Sequence, residues 1–366
     1  MIAHAAVLRG HALSMQIETV SIDEPRADEI LVRIIACGVC HTDLKVALVE
    51  GLSPRPIVLG HEGAGIVERV GSRVLGFAPG DHVLLTFDFC GCCAPCKSSK
   101  PSYCVEGGSR SFGGYRTDRS ITMSSNSGPI HGSFFGQSSF ATHALASERN
   151  AVKIDHTLPL DLLAPLGCGV QTGAGAMLNS LGVRAGMTVA VFGVGAVGLS
   201  AVMAARIAGA SRIFAIDTKP ERLMLAQDLG ATDTINVLAD NPLDAILRTT
   251  DCGVDRSLDT TASDIVIDQA VECLAPLGVC GLIANRGPAH RMSMNILASM
   301  LKGRSVRGIA QGDSVPSIFI PRLIEFWRRG QLPLEKLVRY YPFEDIDMAF
   351  ADANEGAVVK PVLRMA

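Results

Sequence analysis

A short run of glycines stands between an apolar segment the length of a strand and a segment the length of a helix. The run is Gly193-Val194-Gly195-Ala196-Val197-Gly198, which follows residues 188–192 and opens a helical stretch through Ala208. In such a turn the first glycine lets the chain reverse tightly, the second lets the backbone approach a ligand, and the third lets helix and strand pack closely. The position of the run therefore predicts the first β-α unit of a parallel sheet.

This unit belongs to a longer alternation of strand-sized apolar runs with helix-sized amphipathic ones. The strand-sized runs are 188–192, 213–217, 234–237, 254–259, 279–284 and 306–309. Strands that alternate with helices are typical of a doubly wound parallel sheet. Residues 1 to about 150 differ, because their short apolar runs are broken by Gly and Pro and indicate a mostly β region. The sequence therefore predicts an α/β chain, and its 366 residues suit two domains.

An acidic residue ends the strand that follows the glycine turn. Asp217 lies 24 positions after Gly193, where a carboxylate can accept hydrogen bonds from both hydroxyls of an adenosine ribose. The N–H groups and the partial positive charge at the start of the following helix suit a pyrophosphate. Because a carboxylate repels a 2′-phosphate, the pattern favours NAD over NADP. The alternative is a glycine turn and a helix-capping Asp without a ligand.

Five cysteines fall within the run C-G-C-C-A-P-C-K-S-S-K-P-S-Y-C, residues 90–104. Cys90, Cys93, Cys96 and Cys104 are separated by two, two and seven residues. Four thiolates can surround one tetrahedral Zn²⁺ at about 2.3 Å each and leave no position for water, as in a structural site. Cys92 is an alternative to Cys93 as a ligand. An iron–sulfur cluster or a pair of disulfides is the alternative to zinc.

A second set of metal-binding side chains is scattered along the chain. Cys40 lies in C-G-V-C-H-T-D, His61 and Glu62 lie in G-H-E-G-A-G, and Cys168 lies in L-G-C-G-V-Q-T-G. Two thiolates and an imidazole make three protein ligands, so a fourth zinc position stays open for water or an alcohol oxygen. Taken singly, each residue has an ordinary explanation as a buried core cysteine or a hydrogen-bonded His–Glu pair. Spacing alone leaves both interpretations open.

Charge excludes some classes of partner. The net charge is −3 and the chain has no long basic run, so neither nucleic acid nor an anionic membrane surface is an expected partner. Residues 185–205 carry no charge over about the length that crosses a bilayer, but their glycines favour a buried strand, a turn and a packed helix. Since the first 15 residues lack an apolar core of secretory length, we expect a cytoplasmic protein with small-molecule partners.

Together these motifs resemble the zinc-containing medium-chain dehydrogenase/reductase family. The cysteine run, Asp217 and the motifs G-H-E-G-A-G, G-C-G-V-Q-T-G and G-V-G-A-V-G occur in the family's order and spacing over nearly the whole chain. The resemblance implies a GroES-like, mostly β catalytic domain at 1–170 and 312–366, with a structural-zinc lobe at 88–106, and a Rossmann NAD-binding domain at 171–311. It also implies two zinc ions per subunit, one catalytic and one structural, and a homodimer or homotetramer.

The resemblance assigns roles around the catalytic zinc. Cys40, His61 and Cys168 would hold the ion, with Glu62 as a transient ligand and Asp43 as the hydrogen-bond partner of His61. Thr42 would accept the alcohol proton. Many members of the family place a His three residues after that hydroxyl, whereas this chain has Lys45. The route of the proton beyond Thr42 is therefore not specified.

The resemblance also implies a coenzyme-binding set. His41, Thr172 and Lys360 would lie near the pyrophosphate, and Arg222 near the adenosine ribose. The whole set is Gly193, Gly195, Ala196, Val197, Gly198, Asp217, Arg222, His41, Thr172 and Lys360. Ordinary surface or helix-capping roles are the alternative for His41, Thr172, Lys360 and Arg222.

Two stretches narrow the substrate class. F-F-G-Q-S-S-F-A-T-H-A-L and C-G-V-C-H-T-D-L are similar to the aryl- and allylic-alcohol dehydrogenases, and Thr86 and Phe140 fall where the family lines its substrate pocket. The expected reaction is reversible hydride transfer between NAD and a primary benzyl-, cinnamyl- or geranyl-type alcohol. One alternative is oxidation of S-(hydroxymethyl)glutathione. Another is a non-catalytic NAD- or zinc-binding structural or sensor protein, against which the retained zinc ligands and Thr42 argue.

Overall fold

Three sheets organise the chain, which the computed structural model describes for residues 1–287 and 289–365. The chain divides into two units. Unit 1 comprises Met1–Cys168, Val315–Trp327 and the chain from Leu334 onward, and unit 2 comprises Gly169–Ser314 and Arg328–Pro333.

The elements are numbered in chain order. The strands are β1 (Ile2–Leu8), β2 (Gln16–Ile22), β3 (Glu29–Gly38), β4 (Ile57–Val58), β5 (Gly63–Val70), β6 (His82–Leu85), β7 (Met123–Ser125), β8 (Gly128–Ile130), β9 (His143–Ser147), β10 (Ala151–Ile154), β11 (Thr188–Phe192), β12 (Arg212–Asp217), β13 (Asp233–Asn236), β14 (Val254–Asp259), β15 (Leu274–Leu282), β16 (Ser305–Gly308), β17 (Val338–Pro342) and β18 (Lys360–Arg364). The α-helices are α1 (His41–Leu48), α2 (Ala94–Lys97), α3 (Gly107–Phe112), α4 (Leu160–Leu163), α5 (Gly169–Gly175), α6 (Ala196–Ile207), α7 (Pro220–Leu229), α8 (Pro242–Thr250), α9 (Asp264–Glu272), α10 (Ile296–Lys302), α11 (Pro316–Arg328) and α12 (Ile346–Glu355). Short 3-10 turns cover Pro101–Tyr103, Phe134–Gly136, Glu148–Asn150, Ala164–Gly167, Gln311–Asp313, Leu334–Lys336 and Phe343–Asp345, and a π-helical turn covers Ala176–Ser180.

The larger sheet of unit 1 is built around β3. Over the described residues its order is β10-β6-β5-β3-β18-β17, with β9 also paired to β3. Strand β3 reads as an almost continuous apolar run and most of its residues are buried, as expected of a strand covered on both faces. Strand β18 pairs antiparallel with β3, with Val362 opposite Gly38. The C-terminal strand of the chain thereby joins a sheet formed mainly by the N-terminal residues.

The second sheet of unit 1 has the order β4-β1-β2-β7-β8. Its last two strands form a hairpin within the Gly- and Ser-rich segment 107–136. Arg116, in the same segment, is buried and donates to the carboxylates of Glu29 at 2.6 Å and Asp23 at 2.7 Å. Charge-assisted hydrogen bonds of this kind are among the stronger ones, so they tie the segment to the start of β3.

Unit 2 contains the predicted doubly wound sheet. Over the described residues the strand order is β13-β12-β11-β14-β15-β16, and every neighbouring pair is parallel. This prediction from the β-α alternation is confirmed, and β11 and β14 have the bounds expected from the sequence. The strand order reverses between β11 and β14, and in such sheets ligands bind beyond the carboxyl ends of the strands at this point.

The uncharged residues 185–205 form β11, the glycine turn and most of α6, as the sequence predicted. Most of α6 is buried. Among the described residues, the helices are all too short or too polar to span a bilayer.

Candidate functional site

Four side chains of unit 1 that are predicted to bind or approach a metal ion come together from three separate parts of the chain. Cys40 directly precedes α1, His61 and Glu62 directly precede β5, and Cys168 follows the turn Ala164–Gly167. One ligand atom from each residue lies within 4.8 Å of the others. Ligand atoms in a tetrahedral site with 2.3 Å metal–sulfur bonds are separated by about 3.8 Å. The four side chains are therefore spaced closely enough to surround one cation.

Asp43, in the first turn of α1, orients His61. Its Oδ1 atom lies 3.0 Å from His61 Nδ1, and its Oδ2 atom accepts from Cys40 N at 3.0 Å. The carboxylate places the imidazole proton on Nδ1 and leaves the lone pair on Nε2. His61 Nε2 is fully buried and has no hydrogen-bond partner within residues 1–287 and 289–365. Buried polar atoms without a partner are rare, so this nitrogen fits a metal ion.

The ionisation of the cluster is coupled through short contacts. A hydrogen bond between the two thiols lowers the pKa of Cys40 well below its ordinary value and raises the pKa of Cys168. Burial by itself would lower the pKa of His61, but the charge and hydrogen bond of Asp43 raise it. Cys40 is therefore the first of the two thiols to ionise, and a cation that binds here displaces protons from the other groups.

Lys360 is the partner of Glu62. Its Nζ lies 2.9 Å from both carboxylate oxygens and 3.0 Å from Val39 O, and the side chain is almost completely buried. Burial raises the pKa of Glu62 to about 7 against the opposing charge of Lys360, whereas Glu62 raises the pKa of Lys360 even though burial lowers it. The Lys360 ammonium group therefore offsets the charge of the Glu62 carboxylate beside the two thiols. The predicted contact of Lys360 with a pyrophosphate and the predicted ligand role of Glu62 stay predictions.

A buried glutamine links three segments around His61. Gln137 Nε2 donates to the carbonyl oxygens of His61 and Thr86 at 3.0 Å each, and its Oε1 accepts from Gly63 N at 3.1 Å. No sequence pattern indicates this role, because a glutamine next to the Gly- and Ser-rich segment 107–136 resembles an ordinary loop residue. The amide therefore fixes the backbone from His61 to Gly63 against Thr86, which directly follows β6.

The two residues predicted to line a substrate pocket are both fully buried. Thr86 Oγ1 donates to Gly167 O at 2.7 Å, one residue before Cys168. The Phe140 ring packs edge-on against Phe350, with centroids 5.7 Å apart. Their place in a substrate pocket stays a prediction.

Helix α1 also carries Thr42, predicted to accept the alcohol proton, His41, predicted to lie near the pyrophosphate, and Lys45, which stands where many members of the family have His; these roles stay predictions. Thr42 is half-buried in its first turn, His41 beside it is exposed, and Lys45 is half-buried one turn later. Burial lowers the pKa of Lys45. Thr42 follows Cys40 by two residues, so its hydroxyl belongs to the same helix terminus as the first thiol.

The four cysteines predicted to bind the structural zinc ion lie close together in space. The sulfurs of Cys90, Cys93, Cys96 and Cys104 lie within 4.8 Å of one another, and Cys90 Sγ is 3.9 Å from Cys96 Sγ. All four are free thiols, and the N–H groups of Cys92 and Cys93 donate to Cys90 and lower its pKa to about 6. The exposed Cys92 lies outside the cluster. A donor set of four sulfurs at this spacing fits a tetrahedral zinc ion.

In unit 2 the glycine turn has the geometry of a ligand cradle. Gly193 has φ +83°, which favours glycine, and a Cβ on Gly198 would lie 2.0 Å from Gly193 O. Gly195 differs, because its φ is −75° and a Cβ there would meet no heavy atom of the described residues within 4 Å. Neither backbone strain nor protein packing requires glycine at 195. The space in front of Gly195 and the following residues Ala196 and Val197 of α6 fits a pyrophosphate.

Asp217 lies beside this turn at the end of β12. Its carboxylate accepts from Val194 N at 2.8 Å and from Thr218 N at 2.7 Å, and Arg222 Nη1 lies 4.0 Å away. Thr172 in α5, also predicted to lie near the pyrophosphate, donates a hydrogen bond from its Oγ1 to Gln311 Oε1 at 3.4 Å. The carboxylate is therefore held by the backbone of the turn it faces.

We expect Gly195→Ala and Gly198→Ala to separate coenzyme binding from folding. Alanine at 198 forces α6 away from the turn and should lower the free energy of unfolding by about 1–3 kcal/mol. Alanine at 195 should leave that free energy unchanged but raise the NAD dissociation constant about tenfold, because a methyl group intrudes where the pyrophosphate approaches. Thermal unfolding and NAD titration of both variants check this. Wild-type NAD affinity in Gly195→Ala would contradict the assignment of the turn.

Two family descriptions match the chain. Residues 26–156 match "Alcohol dehydrogenase GroES-like domain" and residues 196–327 match "Zinc-binding dehydrogenase". The match to residues 26–156 confirms the predicted GroES-like fold of the mostly β part.

Several proteins are similar over the full length. Geraniol dehydrogenase of Castellaniella defragrans is 43% identical over 364 residues, which cover 99% of this chain and 97% of the relative. The crystal structure of benzyl alcohol dehydrogenase from Acinetobacter calcoaceticus has a TM-score of 0.97 and 38% identity and covers all of both chains. A zinc-binding-domain alcohol dehydrogenase protein from Burkholderia ambifaria has a TM-score of 0.97 and 46% identity, with 100% of this chain and 99% of that chain covered.

Proposed function

The chain belongs to the zinc-containing medium-chain dehydrogenase/reductase family of alcohol dehydrogenases, and we propose that it is a zinc-dependent, NAD-linked enzyme that oxidises a primary aryl or allylic alcohol. Alcohol dehydrogenase activity is supported by the family, whose members use zinc and NAD(H). The observation that carries the zinc-dependent part of the proposal is the convergence of Cys40, His61 and Cys168 with a buried His61 Nε2 that has no hydrogen-bond partner among the described residues.

When bound, zinc supplies a Lewis acid and NAD supplies a hydride acceptor. Cys40, Cys168 and His61 would hold the ion, while Asp43 keeps the imidazole proton on Nδ1. Thr42, half-buried at the start of α1, would accept the alcohol proton at its hydroxyl oxygen as it releases its own proton to solvent water. The ammonium group of Lys360 neutralises the charge of the Glu62 carboxylate next to the thiols.

The proposed substrate class is supported by two relatives. One is named for geraniol, an allylic alcohol, and the other for benzyl alcohol. The rings of Phe134 and Phe135 pack around His61, so the surroundings of the metal ligand are aromatic. We further propose that the enzyme uses NAD rather than NADP, binds two zinc ions per subunit, is cytoplasmic and forms a homodimer. Metal analysis tests the zinc content, cell fractionation tests the location, and light scattering tests the number of subunits.

The substrate proposal predicts a ranking of initial rates. With NAD, kcat/KM for benzyl alcohol, cinnamyl alcohol or geraniol should exceed that for ethanol by about 100-fold, because an apolar pocket gains binding energy from each added apolar group. The measurement is NADH formation with each alcohol, repeated with NADP and on protein of known zinc content. Formaldehyde with and without glutathione is the control. Activity that requires glutathione, or no NADH from any alcohol, would contradict the proposal.

A further inference from the structure

The imidazole of His61 is held by a carboxylate at its edge and by an aromatic ring on its face. Asp43 Oδ1 is 3.0 Å from Nδ1, and the Phe135 ring lies over the imidazole with centroids 4.4 Å apart and planes inclined by 24°. This hydrogen bond restrains Nδ1, but small combined rotations about Cα–Cβ and Cβ–Cγ can still tilt the imidazole plane while the bond is kept. A ring stacked on the face removes this freedom, so the two contacts together fix the direction of Nε2.

The backbone of Phe135 is strained in order to present this ring. Phe135 has φ 53° and ψ 27° in the turn Phe134–Gly136, a left-handed conformation that is rare for bulky residues. Such a conformation persists only where the surroundings over-determine it, and it is concentrated at functional sites. Here Asn150 Nδ2 donates to Phe135 O at 3.3 Å and to Gly136 O at 3.1 Å, and Ser138 Oγ accepts from Phe134 N at 2.8 Å. The turn is therefore locked in the form that stacks Phe135 on His61.

Two further rings support the stack. Phe134 meets His61 edge-on with centroids 5.5 Å apart, and Phe112 meets Phe135 edge-on at 5.4 Å. Phe135 is 4% exposed and His61 is fully buried. The stack is thus buried and is flanked by a further ring on each partner.

We propose that Phe135 is a positioning residue for the metal ligand His61, setting the plane of the imidazole and hence the affinity and geometry of the metal site. The inference rests on the proposed function, because it needs a cation at Nε2. Hydrogen-bonding partners of metal ligands typically change affinity by about 10–100-fold when removed. We assign an effect of this size to a stacked ring.

The test replaces Phe135 by leucine, which keeps an apolar side chain and removes the ring. Phe350→Leu is the matched control, because Phe350 is also buried but packs its ring against Phe140. Each protein is loaded with Co²⁺, and the d–d absorption and the chelator-competition affinity are measured. Absorption bands that are present in the wild-type protein and absent from the Cys40→Ser variant report Co²⁺ bound at this site. We expect Phe135→Leu to shift those bands and to weaken the affinity about 10–100-fold, with Phe350→Leu and the ring-preserving Phe135→Tyr unchanged.

The outcomes separate the inference from its premise. If the wild-type protein shows no bands that depend on Cys40, the proposed function and the inference are both overturned. If those bands are present and Phe135→Leu matches Phe350→Leu in spectrum and affinity, only the role of Phe135 is overturned. If Phe135→Leu fails to fold, Phe135→Met replaces it in the test, because the flexible apolar side chain of methionine fills irregular space. We expect the same shift of the bands and the same loss of affinity.

Discussion

Cys40→Ser is expected to remove the zinc ion proposed for the site at α1 and to lower kcat/KM by at least about a thousandfold, or about 4 kcal/mol of transition-state stabilisation. A serine hydroxyl does not ionise in the accessible pH range, so it is a poor replacement for a thiolate ligand. In this chain the hydrogen bond with Cys168 favours the Cys40 thiolate in particular. Metal content and NADH formation measured on the same preparation check the prediction.

The control for Cys40→Ser is Cys37→Ala. Cys37 is buried three positions earlier, at the end of β3, and lies outside the metal-binding cluster. If the effect of Cys40→Ser is specific to the metal site, the Cys37→Ala variant should keep two zinc ions per subunit and near-wild-type activity. Cys40→Ser with both zinc and alcohol oxidation at wild-type levels would show that the proposed metal site is wrong.

Cys96→Ser is expected to release the second zinc ion and to lower the free energy of unfolding by about 4 kcal/mol or more, the range associated with loss of a bound metal. The lobe has few other sources of stability, since α2 within it is a single turn without a buried residue. Structural zinc supplies folding free energy directly. Zinc content and the midpoint of thermal unfolding are the measurements.

The lobe contains its own matched control. Cys92 lies in the same run but is exposed and outside the four-sulfur cluster, so Cys92→Ser should keep both zinc ions and the wild-type unfolding temperature. If Cys92→Ser destabilises the protein and Cys93→Ser does not, Cys92 is the ligand. If Cys96→Ser changes neither zinc content nor stability, the lobe does not hold a structural metal.

Features formed by residues that are close together in the sequence could be predicted from the sequence alone. The glycine turn after 188–192 and the strand-and-helix alternation predicted the parallel sheet of unit 2, because each β-α unit is defined by consecutive residues. The cysteines of the lobe fall within 15 residues, and chain connectivity keeps residues so close in sequence within reach of one another. In these places, sequence spacing limits spatial distance.

The surroundings of His61 could not be predicted in the same way. Lys360 lies at the start of β18 and reaches Glu62 only because β18 pairs with β3 beside β5. Phe135 reaches His61 from a turn in which phenylalanine, and not only the neighbouring glycine, adopts a left-handed backbone. Sequence similarity pointed instead to Phe140 in the same stretch, which packs on Phe350.

The parallel sheet of unit 2, the glycine turn and the grouping of the cysteines in the lobe follow from the sequence alone, since these features depend on residues that are close along the chain. The meeting of Cys40, His61 and Cys168, the Lys360–Glu62 pair and the ring over His61 were decided only by tertiary structure. Connectivity places no useful limit on the distance between residues so far apart in sequence. Strand register and burial bring them together instead, and neither can be read from a local pattern.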